Sequence, residues 1–80
     1  MKYENEIREI IQKMLKSGVE QFSVSTHDGS LAWHNGEKLS LSAGTVVDIC
    51  SEMVEAGIAE KRAVSALAVY YELTIRAREF

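Results

Sequence analysis

The 80-residue chain has no proline, a single cysteine, a single tryptophan and no apolar run near the roughly 20 residues that a membrane-spanning helix needs. Each shortage excludes something. Cys50 alone permits neither an internal disulfide nor a two-cysteine zinc knuckle. The five glycines, Gly18, Gly29, Gly36, Gly44 and Gly57, are scattered, so no glycine loop is present to cradle a phosphate. Without proline or a Gly/Ser-rich run nothing reads as a linker, and residues 1–80 are expected to form one domain. The start, Met1-Lys2-Tyr3-Glu4, has no apolar signal core, so a cytoplasmic protein without a membrane partner is expected.

What is present is an ordinary globular composition, 46% hydrophobic and 26% charged, which is too apolar for a disordered chain. Twelve acidic residues outnumber nine basic ones, giving a net charge of −3. That sign opposes the counterion release that drives generic nucleic-acid binding, so nucleic acid is not the expected partner. The acidity is concentrated in the middle: residues 17–57 carry six acidic groups and one basic group.

Tyr3, Ile7, Ile10, Ile11, Met14 and Leu15 recur at spacings that put them on one face of a helix, with Glu4–Arg8 and Glu9–Lys13 on the other and Gly18 as its stop. The period then changes to two. Phe22 and Val24, Leu31 and Trp33, and Leu39 and Leu41 each alternate with smaller or polar residues, predicting three short strands. Asp28-Gly29 and Asn35-Gly36 lie between them, the dipeptides that best suit tight hairpins, so an antiparallel meander follows. One face of that meander is apolar, with Trp33 expected in the core, and the other is small and flat: Ser23, Ser25, Ala32 and Ser40. Ser42 is placed to cap a second helix that runs through Val46, Val47, Ile49, Cys50, Met53 and Val54 to Gly57.

A third helix is expected from about Ala59 to the end, with Arg76 and Arg78 near its negative terminus. The fold class is therefore α+β: an N-terminal helix, a three-stranded antiparallel meander and two C-terminal helices. Between Ala63 and Leu73 the last helix would be apolar nearly all round, and about 21 residues would extend roughly 32 Å, beyond what a domain this small covers. A second copy of the chain, giving a homodimer, or a different protein is expected over it, at Ala66, Val69, Tyr70 and Leu73.

No catalytic, cofactor-binding or metal-binding residues are assigned. His27, Asp28, His34 and Glu37 are of metal-ligating type, but on the expected strand the two histidines fall about 20 Å apart and cannot share one ion. Cys50 lies on the apolar side of its helix, where a thiol is an inert small hydrophobe. An enzyme is not expected.

Asp48, Glu52 and Glu55, spaced four and three, form an acidic stripe along one side of the second helix. A carboxylate row of this kind steers toward a basic surface. The leading expectation is thus a small acidic protein-interaction module, an inhibitor or regulatory protein that docks on another protein. Its size and charge are similar to those of phage-encoded inhibitors, an analogy that no motif carries. The alternative is a dimeric DNA-binding regulator. Lys38-Leu39-Ser40-Leu41, a helix ending at Gly57 and a further helix beginning Glu60-Lys61-Arg62 resemble a ribbon-helix-helix unit over about half the chain. That resemblance implies paired strands in a major groove, yet it offers only Lys38 as an outward charge.

Overall fold

The apolar row at residues 7, 10, 11 and 14 does form a helix, α1 (Glu4–Lys16), and its four side chains are all buried. The computed structural model describes residues 1–27, 31–33, 38–39 and 43–80; for Ala32, Trp33, Lys38, Leu39 and Ala43 it describes the backbone alone. The second helix, α2 (Ala43–Glu55), buries Val46, Ile49, Cys50 and Met53. Both helices stop in the same way. Gly18 at φ 70° and Gly57 at φ 74° take the left-handed conformation that ends a helix. The residues after them close the turn, Val19 N–H donating to Met14 O and Ile58 N–H to Met53 O, both at 2.9 Å.

The meander is present as β1 (Gln21–Ser25), β2 (Leu31–Trp33) and β3 (Lys38–Leu39), with Phe22 opposite Trp33 and Leu31 opposite Leu39. The turns at Asp28-Gly29 and Asn35-Gly36, the Ser42 cap, His34, Glu37 and the Trp33 side chain lie outside the described residues.

The expected third helix is not there. Its residues form a hairpin, β4 (Ala59–Val64) and β5 (Ala68–Leu73), followed by a short 3-10 turn, Ile75–Glu79. Within β5, Val69, Tyr71 and Leu73 alternate with Ala68, Tyr70 and Glu72, a period of two that an unbroken apolar run conceals. Valine and tyrosine also favour a pleated surface. The reversal is made by Ser65, whose Oγ accepts from Leu67 N–H at 3.2 Å and from Ala68 N–H at 3.1 Å. A serine hydroxyl thereby supplies a turn that the sequence does not mark with glycine, asparagine or proline.

The hairpin joins the meander through its second strand, giving one five-stranded antiparallel sheet in the order β3-β2-β1-β5-β4. Ribbon-helix-helix order therefore ends at α2, because Glu60-Lys61-Arg62 lies on a strand. Phe22, Val24, Leu31, Ala59 and Leu73 form one core cluster with the buried residues of α1 and α2, so both helices cover the same face of the sheet. Burial of this continuous core is the main stabilising term. Thr74 anchors the end of the chain, its hydroxyl donating to the carbonyls of Gly57 and Ile58.

An acidic helix face and a cleft beside it

The exposed side of α2 is built by helical spacing. Val47, Ser51 and Val54 form a row at intervals of four and three, all exposed, and Asp48 and Glu55 form an exposed row beside it. Among the described residues, neither Asp48 nor Glu55 has an ion-pair partner, whereas Glu4, Glu9, Glu20, Glu60 and Glu72 are each paired with an arginine or lysine. Glu52 differs from its neighbours. It is half-buried, and its Oε1 accepts the backbone N–H of Tyr3 at 3.1 Å. The expected three-residue stripe is thus two carboxylates unpaired among the described residues and one that ties α2 to the start of α1.

The residues expected on one face of a last helix are separated by the hairpin. Leu73 is buried in the core, Val69 is half-buried on the same face, Tyr70 is exposed on the opposite face and Ala66 is exposed in the β4–β5 turn. The helix-length argument for a partner over these four residues falls with the helix. Tyr70 belongs instead to the sheet face away from the helices, together with Gln21, Ser23, Ser25 and Glu72.

On that same face the register sets Glu60 directly opposite Glu72, a like-charge pairing that destabilises a sheet. A β-bulge at Lys61–Ala63 accompanies the remedy. Arg62 reaches both acids, with Nη2 at 2.8 Å from Glu72 Oε1 and 3.1 Å from Glu60 Oε2. Gln21 Nε2 donates to Glu72 Oε2 at 3.2 Å. The Gln21 hydrogen bond, then Arg62, holds the Glu72 carboxyl below its ordinary range.

A cleft of about 590 Å³ opens between α2 and the sheet. Val24, Val69 and the Tyr71 ring supply its apolar sheet side, and Val47 and Cys50 supply its helix side. Ser25, Thr26, His27, Ser51 and Lys61 add polar groups. Thr26 is fixed here by two bonds to the β4–β5 turn: its Oγ1 donates to Ala66 O at 2.7 Å and its N–H to Leu67 O at 3.0 Å. His27 N–H donates to Ser25 Oγ at 3.2 Å, and the imidazole is exposed.

Burial pushes the Cys50 thiol up to about 12, so it stays protonated at neutral pH. Tyr71 is raised as well, first by burial and then by its proximity to Cys50. No group of three His, Cys, Asp or Glu side chains among the described residues is arranged to hold a metal ion. None of the described helices is long and apolar enough to cross a membrane.

Thr26 and Ser51 are cleft residues that sequence reading does not single out, and Lys61 is one that it places at the start of a helix. Lys61 reaches the cleft only because residues 59–64 are a strand, and the signal available for that was the alternation hidden in residues 68–73. No family model, curated protein or solved structure matches the chain.

Proposed function

We propose that this chain is a protein-interaction module, an inhibitor or regulatory protein, that docks through the exposed face of α2 onto a basic surface of another protein. The observation that carries the reading is the pair of carboxylates without an ion-pair partner among the described residues, Asp48 and Glu55, set beside exposed Val47 and Val54. The helix gains nothing in stability from this arrangement. Glu55 is its last residue, its last turn has no basic side chain, and acids at that end oppose the helix dipole. Asp48 and Glu52, four apart, also repel. Acids kept where the fold disfavours them, next to apolar side chains left in solvent, supply the elements of an interface: contact area from the valines, and orientation and association rate from the charges.

The test starts with the full chain as bait in extract from its source, followed by reconstitution of the captured protein with purified bait. A complex weakened at least tenfold by Asp48→Lys with Glu55→Lys, weakened by added salt and cross-linked through α2 supports the reading. A complex that the double charge reversal leaves at full affinity overturns it, provided the variant melts like the parent.

A further inference from the structure

The cleft is chemically distinct from the rest of the molecule. In a chain of net charge −3, none of the described residues that line it is acidic, while two are basic side chains, Lys61 and His27. Lys61 is the more telling. Its register partner is Tyr71, so it occupies a helix-side position on edge strand β4, in the row where its strand neighbours contribute apolar groups. It has no ion-pair partner among the described residues, unlike Arg62 next to it. A lysine and a serine lining the same cleft as Val24, Val47, Val69 and Tyr71 match an anionic head on an apolar body. The cleft's volume of about 590 Å³ lies within the ~300–1,000 Å³ usual for small-molecule sites.

We propose that this cleft binds a small organic anion, a carboxylic acid with an apolar body, whose carboxylate pairs with Lys61 and whose body lies against Val47 and Val69. The polar groups fix the head, and the valines and the Tyr71 ring contribute burial. The site shares Val47 with the α2 docking proposal but uses neither Asp48 nor Glu55, so the two proposals are tested by different substitutions.

The probe is decanoate, titrated into ¹⁵N-labelled protein and followed by amide chemical shifts, with decyltrimethylammonium as the cation of matched chain. The expected result is saturable movement confined to amides of Thr26, His27, Val47, Ser51, Val69 and Tyr71, with the cation producing none. Lys61→Met should weaken decanoate about tenfold, Lys61→Arg should retain it, and Ser51→Phe should block it by filling the cleft. The spectra themselves show whether each variant is folded, and Lys61→Gln replaces Lys61→Met if that variant is not. Three results overturn the proposal: no saturable shift at millimolar decanoate, equal binding of the cation, or unchanged affinity in the folded Lys61 variants. An inward lysine on an edge strand also discourages edge-to-edge pairing. Unchanged affinity together with new self-association on losing Lys61 would assign it that guarding role instead.

Discussion

The rings of Phe22 and Tyr71 stack with centroids 5.1 Å apart and planes 10° from parallel. They face each other across the β1–β5 ladder, so the contact joins the meander to the hairpin over 49 residues of sequence. Phe22→Ala should cost about 3–5 kcal/mol of unfolding free energy through the lost burial and the cavity left behind. Tyr71→Ala should cost less, because Tyr71 is only half-buried. A double-mutant cycle in urea should return a coupling of about 0.5–1.5 kcal/mol for the pair. Strict additivity would show that the stack adds nothing beyond area.

Glu52 and its neighbours on α2 should behave oppositely when neutralised. Glu52→Ala removes the acceptor for Tyr3 N–H at the entrance to α1, where no side chain caps the helix. A loss of about 1 kcal/mol is expected, the usual size of a helix cap or a net hydrogen bond. Asp48→Asn and Glu55→Gln should change stability by no more than about 0.5 kcal/mol, and upward, because each relieves an unfavourable charge on the helix. Thermal melts of the three variants separate the structural acid from the two proposed to meet a partner.

Much of this division could be read from the residues, and some could not. Helix α1, the meander and α2 each announce themselves by period and by a stop signal, and Gly18 and Gly57 do sit where the helices end. The last third does not. In the run from Ala63 to Leu73 nearly every residue is apolar or small, so helical and strand spacing fit equally well, and the decisive turn rests on Ser65, a residue with many other uses. The stripe of Asp48, Glu52 and Glu55 was legible as a row, but not Glu52's bond to Tyr3, which depends on how two helices meet. The cleft was illegible for the same reason: Lys61 and Tyr71 are brought together by register, and register follows from the hairpin.

Cys50 should limit stability in alkali. A thiol raised from its ordinary value of 9.0 to about 12 in the folded chain favours the folded state fully below 9.0. That contribution is lost as pH rises from there toward the folded value, by up to about 1.4 kcal/mol per pH unit. Cys50→Ala should be slightly less stable at neutral pH, since a buried atom is removed, yet decline less steeply above pH 9.0. Ellman's reagent should react slowly with the native wild type and rapidly once urea unfolds it. Fast reaction in the native state would show that the thiol is neither buried nor raised.

Glu72 sets the acid side of the same argument. Its carboxyl lies below its ordinary value of 4.5 because Gln21 donates to it and Arg62 both donates to it and pairs with it. A carboxyl lowered on folding gives stability that is complete above that ordinary value and is lost as pH falls through the folded value. The wild type should therefore exceed Glu72→Gln in melting temperature near neutrality, and the two curves should converge as the pH drops below 4.5. Carbon-13 titration of the Glu72 carboxyl supplies the direct reading. Gln21→Ala and Arg62→Met should each move it upward, and Arg62→Met should also leave Glu60 and Glu72 opposed without a cation between them. If Arg62→Met left the titration where it was, the bulge that carries Arg62 would have no electrostatic role on this face.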